Sequence, residues 1–311
     1  MYKDLQKIST KGMPHEVWLE HRRKSIGGSD ASAILGMNAY SSPYTVWAEK
    51  LGKLPPKEDN EAMRLGRDLE DYVGRRFTEE TGKKLRRENN IIINPEIPFA
   101  HANVDRMVVG EDAGFEAKTT SVLNVKKFKN GEYPENYYCQ CVHYLMVTGC
   151  KRWYLGVLIL GVGFKSFVIE RDEAEIEALR KSEEAFWKLV EEQTPPMTDG
   201  NNSTTETISA MFPTSKEETV SLTSFESDLK EYISLSTLSD NVKKQKDEVA
   251  NRIKVYMGEA GKGESASYKV SWSSYMKNTF DHKAFAEDHP NMDLSKYYKQ
   301  TPCRPFKVST F

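Results

Sequence analysis

Residues 99–120, Phe-Ala-His-Ala-Asn103-Val-Asp105-Arg-Met-Val-Val-Gly110-Glu-Asp-Ala-Gly114-Phe-Glu116-Ala-Lys118-Thr-Thr, limit what this chain can fold into more than any other stretch. Gly110-Glu-Asp-Ala-Gly114 separates two short apolar runs, which predicts a hairpin of antiparallel strands. Side chains alternate faces along a strand, so Glu116 and Lys118 share a face, Ala117 packs behind them, and Asp105 falls beside the second strand. Two carboxylates and one ammonium then occupy one small volume. Close carboxylates repel and raise each other's pKa, and a hard divalent cation between them relieves this. Mg2+ suits such an all-oxygen site, with the Ala117 backbone carbonyl as a further ligand. Lys118 lies far enough along the strand to hold a water or a phosphate oxygen instead. The pattern points to a metal-dependent phosphodiesterase site. In a chain with 29% charged residues the same spacing also fits a solvated hairpin edge, so the flanking segments must decide.

Residues 60–81 predict a long helix with Leu65, Leu69, Val73 and Phe77 on one face and Gly82 as its stop. Glu70 flanks that stripe and can reach the edge of the core; an exposed glutamate paired with an arginine is the plainer reading. Strands are predicted at 84–93, 99–109 and 114–119, a helix at 135–148, strands at 153–160 and 165–170, and an amphipathic helix at 172–192. Gln140 and His143 lie on the 135–148 helix. Spacing alone leaves Gln140 exposed and gives His143 packing or a hydrogen bond rather than ligation. Near the N-terminus, Met13-Pro14-His15 opens a helix leading to Arg22, and Ser29-Asp30 caps a short helix from Ala31 to Leu35. Gly27-Gly28 lets backbone amides approach an anion beside Arg22 or Arg23 and Ser29, although an ordinary capping turn has the same signature. Ser42-Pro43 caps a further helix that runs to Gly52.

A chain of 311 residues holds one large core or two smaller ones. Thr194-Pro-Pro and the Asn/Ser/Thr-rich residues 199–206 predict a linker over 196–220, between a domain of residues 1–195 and an appendage of residues 221–311. Residues 222–258 read as one or two amphipathic helices, and 268–272 and 304–308 as strands. Tyr268, Lys269, Trp272, Tyr275 and Lys277 can stack on single-stranded DNA or form a small core, the second being preferred. Gly261-Lys-Gly-Glu-Ser265 lacks the spacing of a phosphate loop, so no ATP is expected. A net charge of −2 does not announce a nucleic-acid binder, yet basic clusters at 21–24, 83–87 and 126–129 flank the proposed site. No apolar run is long enough to span a membrane and the first residues lack a signal-peptide pattern, so a cytoplasmic protein without membrane contact is expected. The four cysteines lack zinc-pair spacing.

Asp105 with Glu116-Ala-Lys118 resembles the PD-(D/E)XK nuclease motif, and residues 14–195 resemble the lambda-exonuclease and YqaJ-type viral recombinase group. The segment 66–82 around Glu70 resembles the helix carrying that group's first acid, and 138–148 its glutamine helix. Residues 22–32 resemble its N-terminal arginine and serine, and 168–172 the strand closing its core. The fold implied is α/β (α+β), a PD-(D/E)XK core with a mixed central sheet flanked by helices and a small C-terminal α+β appendage. The activity implied is a 5′→3′ exonuclease that resects one strand of linear double-stranded DNA to a 3′ overhang. The resemblance also implies a ring-shaped homotrimer and a single-strand-annealing recombinase partner. Asp105, Glu116 and the Ala117 carbonyl would hold Mg2+, with Mn2+ able to substitute, and Glu70 would support a second metal or the water. Lys118 would position the nucleophile and Gln140 contact the scissile phosphate. Arg22 and Ser29 would receive the 5′-phosphate, with Asn103 also on the DNA. Some relatives carry an iron–sulfur cluster with one cysteine upstream of the site; none precedes Lys118 here, so no cluster is expected. An endonuclease, or a non-catalytic DNA-binding protein on the same fold, are the alternatives.

Overall fold

Phe115 and Trp153, both fully buried, lie on neighbouring strands of the five-stranded sheet that organises the first of two units, residues 1–212. The computed structural model describes every residue except 1, 3, 57, 58, 300, 301, 302 and 311. In chain order the first unit contains β1 (Gln6–Ser9), α1 (His15–Arg23), α2 (Gly28–Ile34), α3 (Pro43–Lys50) and α4 (Glu61–Thr81). Then come β2 (Leu85–Arg87), β3 (Asn90–Ile93), β4 (His101–Asn103), β5 (Arg106–Val108) and β6 (Ala113–Thr120). It closes with α5 (Glu135–Thr148), β7 (Arg152–Ile159), β8 (Gly163–Glu170), α6 (Glu173–Glu191) and α7 (Asn202–Met211).

The main sheet has the order β2-β5-β6-β7-β8, with β6 and β7 parallel and the other neighbours antiparallel. α5 supplies the crossover that a parallel pair requires. Along β7, Tyr154 joins Val73 and Phe77 of α4, whereas Trp153 and Leu155 join Leu145 and Met146 of α5. That alternation marks a strand buried on both faces. The result is the mixed central sheet flanked by helices that the sequence implies. On α4 the predicted apolar stripe is buried only in its second half, at Val73 and Phe77; Leu65 is exposed.

Two predicted strands are each broken. Residues 84–93 divide into β2 and β3, and 99–109 into β4 and β5, because β2 and β5 pair in the main sheet while β3 pairs with β1 on one side and β4 on the other in a second, three-stranded one. Two acids hold these breaks, Glu88 buried and Asp105 half-buried. Glu88 accepts from Lys7 at 3.1 Å and Arg86 at 3.0 Å, and Asp105 accepts the Ala117 amide at 2.8 Å. α2 begins at Gly28 rather than Ala31, so Ser29 and Asp30 lie in its first turn, where the Asp30 carboxylate accepts the Gly27 amide.

The linker predicted over 196–220 is corrected in its first half, since α7 packs on α3 within the first unit and the division falls after Phe212. Asn201 caps α7, Thr204 donates to the Ser42 hydroxyl at 2.7 Å, and Thr207 and Thr45 hydroxyls meet at 2.9 Å. The small polar residues that suggested a linker are used as a cap and a hydroxyl ladder. The second unit holds the single long helix α8 (Glu226–Met257), the hairpin β9 (Lys262–Glu264) and β10 (Lys269–Ser271), and α9 (His282–Asp288). Among its described residues none is buried, and Tyr268, Trp272 and Tyr275 are exposed, which corrects the expected small core. A hairpin of two three-residue strands has too little surface to build one. No strand forms over 304–308, where Pro305 lacks the amide a ladder needs.

Candidate active site

Glu116 and Lys118 leave β6 on one face, as strand alternation requires, and meet there: Lys118 Nζ lies 2.7 Å from Glu116 Oε1. α5 delivers Gln140 to the same point. Its Oε1 accepts from Lys118 at 2.8 Å, while its Nε2 donates to Glu116 Oε1 at 2.7 Å and to the Tyr144 hydroxyl at 2.8 Å. Glu116, which only accepts, and Lys118, which only donates, thus fix which way the amide faces, and the Tyr144 hydroxyl takes the second N–H. The ring of Tyr137, also on α5, lies 5.5 Å below the Lys118 ammonium.

Asp105 joins this cluster through the bend between β4 and β5, where its Oδ2 accepts the Ala117 amide. In an extended strand a residue's amide and carbonyl leave on the same side, so the Ala117 carbonyl also faces the Asp105 side. Burial, and then the charge of Glu116, push the Asp105 carboxyl up to about 8 against the pull of the Ala117 amide and Lys118. For Lys118, burial opposes the charge, but Glu116 and Asp105 outweigh it and hold the ammonium above its ordinary range. Lys118 is therefore a fixed cation at neutral pH.

Glu116 is 3% exposed, and its Oε2 has no hydrogen-bond partner among the described residues. A buried, unpartnered carboxylate oxygen beside a second carboxylate is the signature of a donor set that fits a cation. No group of three His, Cys, Asp or Glu among the described residues converges as a ready metal cluster. A cation here would rest on Asp105 and Glu116, with the Ala117 carbonyl and oxygens of water or phosphate completing the all-oxygen shell that suits Mg2+.

Glu70 lies on α4 and, with Asp105, lines an open cavity of about 300 Å3 bordered by Arg67, Arg87, Glu88, Asn89 and Val104. Its carboxyl is shifted upward by burial and then by the charge of Asp105, against the pull of Arg106. Arg106 Nη2 reaches Glu70 at 3.3 Å and also pairs with Asp71. This arginine, missed in the sequence, needs Gly74: a side chain there would place its Cβ 2.9 Å from Arg106 Nε. Gly74 inside a helix was the available signal.

The N-terminal residues form a separate group. Arg22 Nη2 donates to Ser29 Oγ at 2.7 Å, and the Arg22 guanidinium stacks over Trp18 at 4.9 Å. Arg22 is half-buried, whereas Arg23 is exposed and takes no part in the bond to Ser29. The group abuts the Lys118 cluster through Gly28, whose missing side chain would put a Cβ 2.6 Å from the Tyr144 ring and 3.1 Å from Gln140 Cγ. Asn103 lies half-buried at the end of β4, two residues before Asp105. His143 belongs to the core, bonded to Glu183 at 2.8 Å and to the His101 carbonyl at 2.9 Å.

Residues 17–151 match the YqaJ-like viral recombinase domain. The uncharacterized protein YqaJ of Bacillus subtilis (strain 168) is 37% identical over 303 residues, covering 95% of this chain and 94% of that protein. Among solved structures, an alkaline exonuclease (LHK-Exo) from Laribacter hongkongensis aligns with 58% of this chain and 94% of its own, at 21% identity and a TM-score of 0.48. LHK-Exo in complex with dAMP aligns at 20% identity with a TM-score of 0.49. With an identity of 37% sustained over nearly its whole length, the chain belongs to the YqaJ-like viral recombinase family.

Proposed function

We propose that this protein is a Mg2+-dependent 5′→3′ exonuclease that resects one strand of linear double-stranded DNA and leaves a 3′ overhang for recombination by strand annealing. The observation that carries the reading is Glu116: Oε1 is shared by Lys118 and Gln140 while the buried Oε2 is left without a partner beside Asp105. Mg2+ bound there would supply charge neutralisation at the phosphate and a more acidic water.

The chain's own residues account for the rest. Lys118, kept cationic, donates to a phosphate oxygen or the attacking water rather than accepting a proton. Gln140 sets the position of that ammonium; both of its N–H groups are taken by Glu116 and Tyr144, so it acts on the phosphate through Lys118. As the new bond from water oxygen to phosphorus forms, the bond from phosphorus to the 3′ oxygen breaks; the attacking water gives up a proton to solvent and the departing 3′ oxygen gains one, so the released nucleotide ends in a 3′ hydroxyl and the shortened strand carries a fresh 5′-phosphate. Arg22 and Ser29 would receive it.

A closed homotrimer and a single-strand-annealing protein partner are part of the same proposal. With a net charge of −2 the chain grips DNA weakly by charge alone, and encircling the duplex would retain it between cuts. The test is digestion with Mg2+ of 5′-phosphorylated linear duplex against covalently closed circular duplex. Degradation of the linear form alone is expected. Opening of the circle would favour an endonuclease, and binding without cleavage of either would remove the catalytic reading.

A further inference from the structure

Lys50 ends α3 facing inward. Its side chain is 5% exposed, and its ammonium donates three hydrogen bonds, to the Arg22 carbonyl at 2.7 Å, the Ser25 carbonyl at 2.8 Å and Asp30 Oδ2 at 2.7 Å. That oxygen also accepts the Gly27 amide at 2.9 Å, and Asp30 Oδ1 lies 3.6 Å from Arg22 Nη2. A single ammonium therefore ties the end of α1, the turn after it and the first turn of α2 into one piece. Burial opposes the charge on Asp30, but Lys50 and then Arg22 outweigh it and hold the carboxyl far below its usual range. Two cations share this one carboxylate, which leaves uncompensated positive charge next to the exposed Ser29 hydroxyl. A neutral packing role would not need a lysine with its charge removed from water, since such a group is costly unless every bond is made.

We propose that Lys50 and Asp30 are positioning residues that hold Arg22 and Ser29 in the geometry that accepts a terminal phosphate dianion. The inference rests on the reading of Arg22 and Ser29 as the 5′-phosphate receptor. Neither Lys50 nor Asp30 touches DNA in this account. Lys50 fixes the backbone on which Arg22 stands, and Asp30 orients the guanidinium and anchors the amide of Gly27. The remaining positive charge then favours a dianion over the monoanionic phosphodiester within the strand.

The experiment compares kcat/KM for linear duplex with 5′-phosphate ends and with 5′-hydroxyl ends, in wild type, Lys50→Met, the double variant Lys50→Met with Asp30→Asn, and Lys53→Met. Thermal unfolding is measured alongside. The double variant removes both buried charges and leaves neither unpaired, so it keeps the test open where Lys50→Met alone folds poorly. Lys53 is an exposed lysine three residues on, and its loss controls for charge. The expected result is a preference for the phosphorylated end reduced at least tenfold in the Lys50 variants and unchanged in Lys53→Met. A wild-type preference retained by the folded double variant overturns the inference while leaving the 5′-phosphate reading standing. No preference in wild type removes that reading, and the inference with it.

Discussion

The Asp105 carboxylate accepts the backbone amide of Ala117 at 2.8 Å, which fastens the bend between β4 and β5 to the middle of β6. The bond places one acid beside another, Glu116, and the fold bears the repulsion. In the metal-free protein the Asp105 carboxyl, pushed up to about 8 by burial and by Glu116, binds a proton that the unfolded chain has already lost above pH ~4. Stability therefore falls as pH rises between those values. Asp105→Asn keeps an acceptor for the Ala117 amide and removes the charge. At pH 8 without metal it is expected to melt higher than wild type, by roughly 2–4 °C for each kcal/mol of repulsion relieved, while losing cleavage in Mg2+. Thermal unfolding with chelator, set beside an activity assay, checks both halves.

Gln140 is the only side chain bonded to both Glu116 and Lys118 among the described contacts of this cluster. Gln140→Ala is expected to lower kcat by about ten- to a hundredfold, from the loss of charge-assisted bonds of ~1.5–3 kcal/mol, with KM little changed. Tyr144→Phe, which removes only one acceptor of the amide and leaves Glu116 and Lys118 holding it, should give a smaller loss in the same direction. Single-turnover kinetics separates the chemical step from binding.

A chain cut after residue 212 should fold and cleave, because every residue placed at the site lies in the first unit. A cut after residue 194 removes α7 and leaves the buried Ser42 cap without the Thr204 hydroxyl. The shorter chain is expected to melt several degrees lower, given ~0.5–1.5 kcal/mol for each hydroxyl hydrogen bond lost with α7, those of Thr204 to Ser42 and of Thr207 to Thr45. Calorimetry of the two truncations decides.

His143 and Glu183 form an ion pair with no exposure on either side chain, joining α5 to α6, and His143 also donates to the His101 carbonyl of β4. Burial opposes the charge on His143, but Glu183 and the His101 carbonyl outweigh it and raise its pKa. A raised histidine stabilises fully below its unfolded value of ~6.5, and that contribution fades as pH climbs through the folded value. His143→Gln should destabilise by about 3–5 kcal/mol at pH 6, since it strands a buried carboxylate. The gap from wild type should narrow toward pH 9, as read by urea unfolding.

Much of the site was legible because it follows local rules. Glu116 and Lys118 converge by strand alternation, and α5 appears over 135–148 between Pro134 and Gly149 as its flanking residues indicate. What was hidden depends on pairing across the sequence. The break at Asp105 arises because β4 and β5 belong to different sheets, and no periodicity within 99–109 records that. Lys50 reads locally as an ordinary basic residue closing a helix, and only the fold brings the Arg22 and Ser25 carbonyls to it. Tyr144 looks like core material, which its ring is; the hydroxyl that accepts from Gln140 has no sequence signature. The residues of α7 mislead because a linker and a hydroxyl-bonded helix draw on the same small polar side chains.

The central claim is tested most directly by following one strand of a 5′-phosphorylated linear duplex that carries one label on its 5′-terminal nucleotide and another near its 3′ end. Wild type and Glu116→Gln are compared in Mg2+. The account predicts that wild type releases the 5′ label first, as a mononucleotide, with the 3′ label following after a delay that grows with duplex length. Glu116→Gln should bind the duplex and release neither. Release of the 3′ label first, or a Glu116→Gln variant that keeps more than a few per cent of the wild-type rate, would contradict it.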